Sequence, residues 1–334
     1  MALGTNFKAV QNIKAVIGTE AVIGDGNLHG SGTWYQLPLI APPTITEGEV
    51  ALDVGSQQVG NYVPNKHQMK QRLDNPLWEI QLQVLGTGGM HDYCQGLFGL
   101  FGGSGTLASD YSPPSWTNGA TNTFAQYPTQ VLYLSGANYD ATNVDQKFSG
   151  CVCKSIELSH SVDGGGMPTL TLTFVTGYRG TGVNAVAGLT ISDKSNDDAT
   201  HFTALTTQRV GDTSSANYDI LGYSYNVSVS RDIHRVGYKD TTNYEPYSYE
   251  MVGGFDISGS VTFKKDSNLA NIDNYFTNDT LGGFKFAGTG YNVELNGLVS
   301  SVANDTGSAE LRNTITLQGA GDPNTSDTIV SIDL

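Results

Sequence analysis

The chain reads as a mainly β protein in which one strand-rich pattern is used twice, and three observations carry that reading. Only 15% of the 334 residues are charged, while Gly (41), Tyr (17) and Phe (12) are plentiful. Long helical proteins spend far more Glu, Lys and Arg. Apolar residues alternate with polar ones through segment after segment, the mark of strands with one buried and one wet face. The same order of elements then returns in the second half.

The clearest strand is Leu77–Leu85, where Trp78, Ile80, Leu82 and Val84 alternate with Glu79, Gln81 and Gln83. Met90, Cys94, Leu97, Phe98 and Phe101 follow at helical spacing between glycines and predict a short amphipathic helix. Ser104–Gln130 carries Pro113, Pro114 and many small polar residues and reads as a long exposed insertion loop. Strands resume at Val131–Gly136 and at Phe148–Val162, the latter with Val152, Ile156, Leu158 and Val162 on one face. A DGGGMP turn leads into a strand where Leu170, Leu172 and Phe174 alternate with Thr, a hairpin signal.

The second half repeats the order. Phe255, Ile257, Val261 and Phe263 share a face with Gly259 interrupting, and Leu269, Ile272 and Phe276 follow at helical spacing. Then come FKFAG, YNVELNGLVSSV, an NDTGS turn and a last strand bearing Leu311, Ile315 and Leu317. The lead-in segments correspond too: Thr33–Val54 in the first half, and Ile220–Met251 with Tyr223, Tyr225, Val227 and Val229 in alternation in the second. The organisation expected is an N-terminal arm over 1–32, a first unit over 33–180 containing the 104–130 insertion, a polar linker over 181–215, and a second unit over 216–334. A single large sandwich whose strands merely look alike is the competing organisation.

Composition narrows the function classes. Lys plus Arg is 17 against 32 Asp plus Glu, a formal charge of −15. So acidic a chain is a poor phosphate-gripping nucleic-acid binder. Met1–Val10 has no apolar core of a secretory signal, and no run approaches the roughly 18 apolar residues of a membrane helix. Three cysteines, Cys94, Cys151 and Cys153, suit a reducing compartment.

No catalytic constellation stands out, and no enzyme activity, cofactor or metal is expected. The six histidines lack zinc-ligand spacing. Cys151 and Cys153 at i and i+2 form one thiol pair, whereas structural zinc takes four ligands. Gly164–Gly166 precedes a strand rather than the helix that a phosphate loop needs. Asp193–Asp198 (DKSNDD) matches a calcium loop only in part. Tyr223, Tyr225, Tyr244, Tyr247 and Tyr249 gather around one polar link, where rings serve subunit contacts, strand packing or sugar stacking.

The stretch FSGCVCKSIELSHSVDGGGMPTLTLTFVTG resembles the tail tube proteins of long-tailed bacteriophages: a Gly, an alternating strand, a Gly-rich turn, and a strand closing on a small residue. YSYNVSVSRDI, followed by YEPYSYEMVGGFDISGSVTFKKD, resembles the same family's second half, across roughly residues 30–320. The resemblance implies two tandem tail-tube-like β-sandwich or partial-barrel domains, each with one short α-helix. It implies a structural virion protein, made in the host cytoplasm, whose subunits share strands into an inner barrel. Rings, expected as trimers with pseudo-sixfold symmetry, would stack into a tube through which DNA passes without specific binding. Expected partners are the chain itself, the tape measure protein, and terminator and baseplate proteins, with no membrane insertion of the subunit.

Within that resemblance, wet-face acids Glu79, Glu157, Asp256 and Glu294 are candidates for a DNA-repelling lumen. Tyr62, Trp116, Tyr244, Tyr247 and Tyr249, in or beside the polar links, are candidate inter-subunit contacts. The 1–32 arm would reach an adjacent subunit. A carbohydrate-binding surface sandwich is the alternative function, and a hydrolase with paired carboxylates comes third.

Overall fold

In a computed structural model of the chain, the structure describes residues 13–20, 24, 34–46, 50–54, 69–73, 77–88, 115–117, 129–136, 145–163, 166–178, 181–183, 189–194, 198–236, 248–265, 275, 280–305, 310–321 and 328–334. The fold is mainly β. The first half holds β1 (Lys14–Thr19), β2 (Trp34–Leu37), β3 (Thr44–Thr46), β4 (Val50–Val54), β5 (Met69–Leu73), β6 (Trp78–Leu85), β7 (Ser115–Thr117), β8 (Gln130–Ser135), β9 (Asp145–Ser161) and β10 (Thr169–Thr176). Three strands follow, β11 (Thr181–Val183), β12 (Ile191–Asp193) and β13 (Thr207–Gly211). The second half holds β14 (Gly222–Val236), β15 (Ser248–Lys264), β16 (Gly282–Gly288), β17 (Tyr291–Asp305), β18 (Arg312–Gly319) and β19 (Thr328–Asp333).

Pairing repeats between the halves. In the first, β6 pairs β10, β10 pairs β9 and β9 pairs β8, all antiparallel. In the second, β15 pairs β18, β18 pairs β17 and β17 pairs β16, again antiparallel. Each long strand carries a bulge at the same rung: Lys154 of β9 is skipped between Thr173 and Phe174, and Ser300 of β17 between Thr316 and Leu317. A bulge re-aims a strand and increases its twist, so both strands turn at the same place. Outside this core, β1 lies on β8 as β13 lies on β16. The β4–β5 hairpin has five rungs, as has the far end of β14–β15.

Two ladders join the halves, a short one between β7 and β19 and a longer one between β9 and β14. From Ser155 to Ser161, β9 pairs β14 antiparallel, with Leu158 opposite Val227 and Ile156 opposite Val229. All four of these side chains are at most 2% exposed. Beside them Val152, Val175, Ile233 and Tyr249 form a second buried cluster, and the Tyr249 hydroxyl accepts the Gly177 N–H at 2.9 Å.

Several expectations change. Residues 14–19 of the expected arm are a central strand, with β2 on one side and β8 on the other. Ala15, Val16 and Ile17 are at most 1% exposed; a short apolar run without alternation suits a strand covered on both faces. The expected 181–215 linker contains three paired strands: β11 on β9, β12 parallel to β2, and β13 on β16. The 104–130 insertion contains β7, paired to β19, and ends in the buried Thr129 and Gln130. The two expected α-helices fall outside the described residues, apart from the helical Tyr275. The helical turns seen elsewhere are short 3-10 pieces at Phe202–Ala204 and Ala216–Tyr218.

A buried carboxylate ties β1 to the start of β9. Glu20, 3% exposed, accepts from Thr129 Oγ1 at 2.6 Å and from the N–H groups of Gly24 and Gly150 at 3.0 Å each. Gly150 has a φ of +57°, and a Cβ there would lie 2.6 Å from the Tyr178 ring. Gly150→Ala should therefore cost about 2–5 kcal/mol, from left-handed backbone strain and overpacking together. An unchanged urea midpoint would contradict this.

Candidate assembly interface

Strand alternation sorts the joined sheet into two chemically distinct faces. Residues directly opposite one another in a ladder share a face, so rows can be followed across strands. One row runs Gln83, Thr171, Glu157, Ser228, Ser258, Gln318, through β6, β10, β9, β14, β15 and β18. The next runs Thr169, Ser159, Asn226, Ser260, Thr316 and on to Ser301 of β17. The opposite face carries Val84, Leu170, Leu158, Val227, Gly259 and Leu317, which form the core. The wet face is thus mainly hydroxyl and amide, and it continues across the joint between the halves without interruption.

By strand alternation all four nominated acids fall on this face, three of them in its open part. Glu157 is exposed in the first row. Asp256 stands opposite Ser230 and accepts from Gln318 Nε2 at 2.9 Å. Glu79 precedes Gln81 and Gln83 on the same face and is paired with Lys154 at 3.2 Å. Glu294 sits apart, in the ladder between β16 and β19, opposite Lys285 and Ser331. Burial works to raise its carboxyl, but Thr213 Oγ1 (2.7 Å), Asn296 Nδ2 (3.1 Å) and Lys285 Nζ (3.0 Å) outweigh it and hold Glu294 below the usual range. An acid so neutralised contributes little repulsion to a passing polyanion.

One rim of the wet face carries a charged cluster that the sequence reading passed over. The Arg312 guanidinium lies 3.9 Å over the Tyr223 ring, and Lys264 Nζ is 3.7 Å from Glu310. The Tyr223 hydroxyl donates to Glu310, which that bond and Lys264 hold below its ordinary range.

The aromatic candidates divide differently from expectation. Tyr249 is 9% exposed and packs within its own chain, as a pin between the β14–β15 hairpin and the first half. It is not a free contact residue; a strand position facing Val152 and Val175 buries it. Trp116 lies in β7 with its backbone opposite Val330. Tyr62, Tyr244 and Tyr247 lie outside the described residues. Of the DKSNDD stretch, Asp193 accepts from Gln36 Nε2 at 3.1 Å, and residues 195–197 lie outside the described set. Burial pushes the Cys153 thiol up to about 12 against the pull of the Arg231 charge, and pushes Cys151 well up too. Both stay protonated at neutral pH, and it is the thiolate that binds metals.

What the arrangement can do chemically is pair strands. Beyond Gly297, β17 keeps β18 on one edge. Among the described residues no strand lies along its other edge from Leu298 to Asn304. Likewise β3 pairs β6 on one edge alone among the described residues. Unpaired edges of this kind are templates for strand addition. No known family model matches the chain, and no curated protein matches it in sequence.

Proposed function

We propose that this chain is a structural subunit that closes into rings and stacks into a hollow tube, of the kind that carries DNA through the tails of long-tailed bacteriophages. The observation that carries the reading is the repeated ladder. The two halves share a pairing order and a bulge position, and one half already lays a strand on the edge of the other. A unit that accepts a neighbour's strand at one edge and offers a strand from the other builds head-to-tail contacts, and these close into rings.

Two such units per chain make three chains per ring the count that yields pseudo-sixfold symmetry. The wet face supplies a surface suited to a conduit, with neutral hydroxyl and amide groups and few cations to hold phosphates. The chain's charge of −15 works in the same direction. The role is structural, without a catalytic step. Its partners are further copies, then a length-setting protein inside the tube and capping proteins at its ends, in the virion.

Electron microscopy of the purified protein, with native mass spectrometry of its rings, tests this. Hollow filaments built of three-chain rings are the expected result. Six chains per ring would replace the trimer count, and a solitary molecule at every concentration would end the tube reading.

A further inference from the structure

The joint inside the chain is also a template for a contact that the chain does not complete by itself. Matching β9 to β17 at their bulges sets Val152 against Leu298, Ile156 against Val302, and Leu158 against Asn304. Val152 and Ile156 are each 2% exposed, because β14 and the hairpin end bearing Ile233 and Tyr249 cover them. Their counterparts Leu298 and Val302 are 40% and 42% exposed. Equivalent positions on equivalent strands thus differ in burial: the first pair has a strand laid beside it, and Val152 also faces Val175 where Leu298 faces Gln318.

The strand that would cover the second pair can be identified by the same matching. Ile80 and Gly259 correspond, since they face Phe174 and Leu317 at the two bulges. Ile45 stands opposite Ile80, as Val227 stands opposite Gly259, so β3 is the counterpart of β14. The spacing then places β4 against the far end of β14, and both pair with five rungs. In β3, Thr44 and Thr46 lie exposed on the wet face, and the core-facing Ile45 is only half-buried.

The geometry points to a second copy of this chain as the partner of the β17 edge: its β3 adds antiparallel along Ala303–Asp305, in the register β14 takes along Glu157–Ser159 of β9. Thr46 of one copy then faces Ala303 of the next, Ile45 faces Asn304, and Thr44 faces Asp305. Strand addition brings the next copy's chain alongside the exposed Val302, with its β4 on the Leu298 side, and extends the hydroxyl and amide rows from one chain into the next. The inference rests on reading the halves as copies of one unit; the tube proposal adds only that the chain of contacts closes.

The test is a directed disulfide between copies. Thr46→Cys protein is mixed with Ala303→Cys protein and oxidised with oxidised glutathione. Directly opposed residues sit about 4.5–5.5 Å apart at Cβ, close to what a disulfide needs, whereas diagonal ones sit about 7–8 Å apart. The opposed pair should therefore link at least about tenfold more than the diagonal control, Thr44→Cys with Ala303→Cys. Thr44→Cys with Asp305→Cys is the second opposed pair, should a first variant fail to fold. Tubes that form without either opposed crosslink would overturn the edge assignment and leave the tube reading standing. Register-specific crosslinks without tubes would uphold the edge and sink the tube. Neither crosslinks nor tubes would overturn both.

Discussion

Leu158→Asp should leave no folded protein, while Glu157→Ala, one residue away, should move the unfolding midpoint very little. Leu158 is 1% exposed between Leu170 of β10 and Val227 of β14, at the longer of the ladders that join the halves. Truncating such a leucine typically costs about 2–5 kcal/mol through lost burial and the cavity left behind. An ionised carboxylate adds a desolvation penalty of several kcal/mol, which together rivals the roughly 5–15 kcal/mol that holds a typical domain folded. Glu157 points to the wet face, where substitutions usually stay within about 0.5 kcal/mol. Circular dichroism and urea titration of the two variants measure the contrast. Comparable losses from both would mean that the faces are misassigned, and with them the continuous polar surface.

Acidification from pH 6.5 to 4 should remove up to about 3 kcal/mol of stability through His160. That side chain is 1% exposed, at the meeting point of the halves. Its Nε2 donates to the Gly166 carbonyl at 2.9 Å, which leaves Nδ1 as an acceptor within reach of the Tyr291 (3.1 Å) and Tyr225 (3.2 Å) hydroxyls, one of which donates to it. Those two hydroxyls also bond each other, and Phe202 packs edge-on against the imidazole. Burial pushes His160 down to about 4 from 6.5; the Gly166 carbonyl pulls the other way, and the nearby His201 adds to the depression.

Above pH 6.5 both folded and unfolded chains hold a neutral imidazole, and the stability is fully present. As pH falls through the window, the unfolded chain takes up a proton that the folded chain refuses, and each pH unit costs up to 1.36 kcal/mol. Below about 4 both forms are charged and His160 adds no further loss. Urea titrations from pH 7 to 4 should show this slope in the natural chain and lose it in His160→Gln. The comparison matters because Glu294, Glu310 and Asp212 are held below their ordinary values, so their losses come on further acidification. A slope unchanged in His160→Gln would refute the assignment.

Much of the strand content was legible because alternation is local. Ile80, Leu82 and Val84 point inward because each follows a polar residue on a two-residue period, and the core contains them as expected. Tyr225, Val227 and Val229 behave likewise in β14. The Asp163–Pro168 turn was legible through its glycines; Gly166 takes a φ of +70°. Less legible were strands whose burial comes from both sides. Lys14–Thr19 carries no alternation to distinguish a central strand from an apolar arm, and Thr328–Asp333 is short, yet β19 buries Ile329, Val330 and Ile332.

The candidate site divided along the same line. Glu157 and Asp256 were found because a wet face is a sequence property, whereas the neutralisation of Glu79 by Lys154 depends on a neighbouring strand. Tyr249 looked like a surface ring beside a polar link, and its burial comes from Val152 and Val175, far away in the chain.

The order of side chains along each strand decided by itself which residues turn inward, where the hairpin turns fall, and that the protein is mainly β. Which strands lie side by side was decided only in three dimensions: β14 on β9, β7 on β19, β1 between β2 and β8. The backbone N–H and C=O groups that make a ladder are the same in every residue but proline, so partner choice depends on distant packing rather than on any local signal.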